Sequence, residues 1–185
     1  MFGLIVSHMQ KKAACNIKQF PKICANINML IDFQRFKYPK VMNPRQINVF
    51  VSELIPSKLG STVKEINTTD CIVFPTKFYN SNYYKYQGID SILKQENIRN
   101  VVITGIETQW CIMQTSRYML EQGFKVHIPI DAVGTYDMIE HQVALDRLKS
   151  YGAKLCTTRG YISEHLISTD DNIARWYLDN ITQKL

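Results

Sequence analysis

Short apolar runs alternate with stretches of helical periodicity along this chain. Phe2-Gly3-Leu4-Ile5-Val6 is a continuous apolar run that reads as a buried strand entering the fold at once. Phe20, Ile23, Cys24, Ile27, Leu30 and Ile31 then recur at the spacing of one helix face. After the breakers Pro39 and Pro44 come a second strand run, Ile47–Val51, and a third, Cys71–Phe74. Asp90 is placed to cap a short helix through Glu96. Asn100–Thr104, sequence NVVIT, is β-branched and reads as a central strand. Gly105 turns the chain into a helix from about Gln109 to Gln122, closed by Gly123. Lys125–Ile130 is a fifth strand, Asp137–Tyr151 a helix stopped by Gly152, and Lys154–Thr157 a sixth strand. Ile173, Trp176, Tyr177 and Ile181 give the apolar face of a last helix, about 170–184, that packs on the domain or on a partner.

Strands that alternate with helices and are apolar throughout imply a parallel sheet covered on both faces. The 185 residues contain no linker or internal repeat, which fits a single domain over 1–185. The segment Phe78–Gly88, FYNSNYYKYQG, is polar and Tyr-rich and reads as a surface loop or a contact patch. In open parallel sheets ligands bind beyond the carboxyl ends of the strands. That rule selects His8, Glu53, Pro75 to Lys77, Glu107 to Cys111, and Asp131.

Charge and cysteine usage narrow the class. Lys plus Arg number 22 against 16 Asp plus Glu, a net charge of +6, but the basic residues are scattered and only Lys11-Lys12 adjoin. That excess gives no reason to expect a specific nucleic-acid partner. A run of eighteen apolar residues is missing, so a transmembrane helix is not expected. The five cysteines are odd in number and form no CxxC pair, and the histidines lack finger spacing, so neither a disulfide framework nor a zinc site is expected. Reduced thiols without a signal peptide place the expected compartment inside the cell, mitochondrial or cytoplasmic.

Cys111 is the sharpest chemical candidate. It follows the strand-to-helix turn in ITGIETQWC. There a helix macrodipole and free backbone N–H groups favour a thiolate, and the same N–H groups can hold an oxyanion. A buried, inert cysteine is the competing reading. His127, His141 and His165 are read as structural or exposed, and Asp131 as a residue that fixes its own loop.

The segment VVITGIETQWCIMQT resembles the nucleophile turn of isochorismatase-like cysteine hydrolases. GLIVSHMQ resembles the first-strand motif of that family, SELIPSKLG its second-strand motif, GFKVHIPIDAVGT its strand five, and HQVALDRLKSYGAKLCTT the approach to strand six. The resemblance runs from about Phe2 to Leu166. It implies a three-layer α/β/α domain around a six-stranded parallel sheet, an Asp–Lys–Cys triad, and a cis peptide near Ile106-Glu107. Matched motif by motif, Cys111 takes the nucleophile position. His8 stands where the family has its acid, and Pro75 where it has its lysine. Lys77, two residues on, is a possible substitute for that lysine, with a solvent-facing side chain as the competing reading. The family's metal ligands have only Glu53 as a counterpart, so no metal and no cofactor are expected.

Three functions follow. In the first, the chain is a non-catalytic member of the family, a subunit of a larger assembly or a homo-oligomer. The Tyr-rich segment and the last helix then serve as contact surfaces. In the second it is an active cysteine hydrolase of small amide-type substrates that uses Cys111 with His8. In the third it binds a ligand in the retained pocket without turnover.

Overall fold

The computed structural model describes residues 2–38, 48–77, 88–168 and 171–181. The Tyr-rich segment, apart from Gly88, lies outside the described residues, as do Pro39, Pro44 and Ile47.

Seven strands form one sheet: β1 (Phe2–Ser7), β2 (Val49–Leu54), β3 (Ile72–Thr76), β4 (Asn100–Ile106), β5 (Lys125–Pro129), β6 (Val133–Gly134) and β7 (Lys154–Cys156). Their order is β3-β2-β1-β4-β5-β7, with β6 pairing β4, and every pairing is parallel. Leu4 lies beside Val49 on one side and Val102 on the other.

The helices are α1 (Lys11–Ala14), α2 (Phe20–Lys37), α3 (Pro56–Leu59), α4 (Ile89–Gln95), α5 (Met113–Glu121), α6 (Met138–Ser150), α7 (Thr158–Ser163) and α8 (Asn172–Asn180). A π-helical turn, Thr108–Ile112, precedes α5.

Period-two alternation sends side chains to two cores, which explains the continuous apolar runs. Phe2, Leu4, Val6, Val51 and Val102 pack with Ile27, Leu30 and Ile31 of α2 and with Tyr161 of α7. Ile5, Phe50, Val101, Ile103 and Val126 pack with Leu93 of α4, Met119 of α5 and Leu148 of α6. The architecture is the expected three-layer α/β/α sandwich. Residues Phe33 and Phe36 of α2 meet Trp176 of α8 at ring-centroid distances of 5.3 and 5.6 Å, so the last helix packs on this domain.

Several boundaries differ from the sequence reading. Gly88, at φ +65°, is the residue that caps α4, and Asp90 sits inside its first turn. The sixth apolar strand ends at Cys156, because the Thr157 hydroxyl accepts a hydrogen bond from Gly160 N at 3.0 Å and caps α7. The helix face of α2 continues past Ile31 to Phe33 and Gln34.

Candidate active site

β1 and β4 are neighbours, and the crossovers from them run to opposite sides of the sheet. A crevice opens at such a reversal, beyond the carboxyl ends of the strands. Gly105 permits the close approach there. At φ +111°, its missing Cβ would lie 2.1 Å from the Ser7 carbonyl oxygen. The Ile106-Glu107 peptide that follows is cis, as the family resemblance implied. Cys111 sits on the π turn, where Ile112 N donates to Glu107 O at 3.3 Å. Thr108 Oγ1 and His141 Nδ1, 2.9 Å apart, tie that turn to α6.

His8 follows β1 in the left-handed region, at φ +53°. Its amide donates to Ser52 O at 3.0 Å, which holds the β1 end against β2. Gln10 supports the same corner: its Oε1 accepts from Leu54 N at 2.8 Å and its Nε2 donates to Leu54 O at 3.1 Å. A cavity of about 340 Å³ results, lined by His8, Lys12, Glu107, Trp110, Cys111 and Tyr136 among others. Trp110 stands half exposed at its side and does not fill it.

Burial and a neighbouring charge act on the two central side chains. Burial, and then the neighbouring Glu107 carboxylate, push the Cys111 thiol up from 9.0 to about 12, against a backbone hydrogen bond from Glu107. At that value only about one thiol in 10⁵ is ionised at pH 7. Burial drives His8 down from 6.5 to about 4, so its ring is neutral. Among the described residues no hydrogen bond joins His8 to Cys111. Glu107 is itself raised by burial, while Gln109 Nε2 donates to its Oε2 at 2.9 Å and acts the other way.

The structure therefore brings His8, Glu107 and Cys111 to one cavity. It leaves Pro75 and Lys77 outside. Pro75 is exposed on β3, an edge strand two places from β1, Lys77 is exposed just past its end, and neither lines the cavity. At about 4.8 Å per strand spacing, β3 lies roughly 10 Å from β1. Pro75 is tolerated there because an edge strand can forgo one N–H donor. Glu53 is structural: its Oε1 accepts from Thr62 N at 2.6 Å and Thr62 Oγ1 at 2.9 Å. Asp131 fixes its loop as expected, with Oδ1 accepting from Thr158 N at 2.8 Å. His127 and His141 are buried and His165 is half-buried, which places all three in structural surroundings. Sequence reasoning missed Lys12 and Tyr136 as lining residues; the adjoining Lys11-Lys12 pair directly after the first-strand motif was the available signal. Among the described residues no three His, Cys, Asp or Glu side chains gather closely enough to hold a metal ion.

Residues 3–160 match the isochorismatase domain family. The chain belongs to that family. A human relative, isochorismatase domain-containing protein 2, is 30% identical over 159 residues, spanning 86% of this chain and 72% of the relative. Among solved structures, one named as the MAR1 ribonuclease of Caenorhabditis elegans aligns with a TM-score of 0.81 at 26% identity, covering 98% of this chain and 89% of the other. An Escherichia coli protein described as an octameric hydrolase of unknown specificity aligns with a TM-score of 0.78 at 19% identity, covering 98% and 89%. This isochorismatase-family chain thus carries the family's three-layer fold with a cavity at the end of β1 and β4. Among its described residues no helix is long and apolar enough to cross a membrane.

Proposed function

We propose that this chain keeps the isochorismatase framework without turnover and serves as a structural or interaction subunit of an intracellular assembly, in the mitochondrion or the cytoplasm. In this reading His8 has replaced the family's acid and Pro75 its lysine. The observation that carries it is that the buried His8 lines the Cys111 cavity where the family has its acid, while Pro75 and Lys77 lie exposed outside it; burial and the Glu107 carboxylate raise the thiol as well. The rival reading, a His8–Cys111 hydrolase, requires the thiol proton to pass to a ring held near 4. Burial disfavours both charged products of that transfer, the thiolate and the imidazolium, and among the described residues no hydrogen bond joins the two side chains. An Escherichia coli protein of the same fold is described as octameric, so the fold accommodates self-association.

Two measurements test the proposal. Iodoacetamide at neutral pH, read by mass spectrometry, should label the exposed Cys15 and leave Cys111 largely untouched. A panel of small amides should show no hydrolysis above the uncatalysed rate. Rapid alkylation of Cys111 together with hydrolysis that a Cys111→Ser variant abolishes would overturn the non-catalytic reading. Native mass spectrometry of the complex taken from cells tests the subunit role, which a lone monomer defeats.

A further inference from the structure

One face of α6 has no cover among the described residues. His141, Ala144, Leu145 and Leu148 turn inward and are buried. At about 100° per residue, the opposite stripe of the helix runs through Ile139 and Val143. These two are 77% and 53% exposed, although aliphatic side chains of this kind are the ones most often found in the interior. Tyr136, just before the helix, and Trp110, on the π turn that packs against α6, are half exposed as well. Together with Met138 these side chains present roughly 600 Å² to solvent, the upper end of what a monomer leaves bare and most of the roughly 800 Å² per copy that a standard interface buries.

The charges beside the stripe say what covers it. Glu140 and Arg147 lie on the same flank of the stripe, seven residues apart. That separation is roughly 10 Å along the helix axis, so the two do not reach each other. Both are exposed, and among the described residues neither has an ion-pair partner. The same polarity runs the length of the helix: Asp137 caps its start, and Arg147 and Lys149 occupy its last turn. A twofold axis that crosses the helix at right angles, in the plane of contact, sets a second copy of α6 antiparallel and keeps each flank against its own counterpart. With that axis level with Val143 and Ala144, Glu140 meets Arg147 of the partner subunit, and Arg147 meets the partner's Glu140. Val143 meets the partner's Val143, and Ile139 lies against the aliphatic stem of the partner's Arg147. The helix dipoles oppose, with each acidic start beside a basic end. A partner of unrelated sequence gives no reason for a helix that complements itself about its own midpoint.

We infer that α6 is the twofold interface of a homodimer, with Ile139 and Val143 at its centre and the Glu140–Arg147 pair formed twice across it. The interface does not depend on whether the chain turns over a substrate. It reaches the Cys111 cavity, because the antiparallel arrangement sets the last turn of the second α6 beside Tyr136, which lines that cavity.

Sedimentation equilibrium of the full chain at about 50 μM should give a dimer or a multiple of it. Val143→Glu sets two carboxylates face to face at the axis and should weaken the contact about a hundredfold or more. The position is exposed, so circular dichroism should show the variant folded. Glu140→Arg and Arg147→Glu each place like charges across the axis, and each should weaken association about tenfold. The double variant restores opposite charges and should return the affinity to within about threefold of the native chain. Two residues that merely support their own helix give no such rescue. The inference is overturned by a chain that is monomeric at about 50 μM, by association that Val143→Glu leaves unchanged, or by a double variant no tighter than the single ones. Association that survives Val143→Glu removes this interface alone and leaves the subunit reading standing.

Discussion

Acidification probes the surroundings of His8 directly. The ring is 7% exposed, and burial lowers its pKa from 6.5 to about 4. Below pH 6.5 the unfolded chain takes up a proton that the folded chain refuses until about pH 4. The stability carried by neutral His8 is therefore complete above pH 6.5 and is lost as the pH falls through the folded value. At pH 4.5 the two pKa values give a loss on the order of 2–3 kcal/mol, a large share of the margin of a typical domain. Burial lowers His127, His141 and His165 as well, so the acid limb of the native chain mixes four rings. His8→Asn isolates one of them, because asparagine tolerates the left-handed backbone that position 8 adopts at φ +53°. The assay is urea unfolding by circular dichroism at about pH 7.5 and about pH 4.5. Between those conditions the native chain should lose on the order of 2–3 kcal/mol more than the variant, whatever constant cost the substitution adds. Acid limbs that run parallel within about 0.5 kcal/mol would refute the claim that His8 is buried and neutral.

Three further substitutions test the framework. Gly105→Ala should destabilise by more than about 4 kcal/mol or abolish soluble expression, since the new Cβ meets backbone and no flexible side chain; urea titration reads this. Thr108→Val should cost about 1–3 kcal/mol by leaving His141 Nδ1 buried and unpartnered, and should alter Trp110 fluorescence. Trp176→Ala removes a half-buried indole from Phe33 and Phe36 and should cost about 2 kcal/mol. In that variant, limited proteolysis should cut first within α8.

The sheet was legible because its strands are buried on both faces. Val101 and Val102 point to opposite cores, so NVVIT reads as one apolar run and needs no alternation to be recognised. β6 was not legible: two residues carry no periodicity, and their pairing with β4 depends on the course of the chain after β5. The capping of α4 was misassigned because Asp90 offers a familiar cap chemistry, whereas Gly88 does the work through backbone conformation alone. In the site, Cys111 and His8 followed from the strand-end rule. Lys12 did not, since a four-residue helix gives no face to read. The outward direction of Pro75 and Lys77 was also hidden, because it depends on β3 being an edge strand on which Phe74 and Thr76 take the buried positions.

Proximity alone does not decide what this cavity can do. A thiol, a carboxylate and an ammonium, from Cys111, Glu107 and Lys12, all line it. What matters is which charge acts on the sulfur. Here the charge that moves the thiol is the Glu107 carboxylate, and it adds to burial; the ammonium of Lys12, on the exposed side of α1, is not among the groups that pull the thiol down. With His8 neutral, no opposing cation stabilises the thiolate from the β1 side. The framework thus positions a cysteine as a nucleophile would be positioned, while burial first and the Glu107 carboxylate second favour its protonated form.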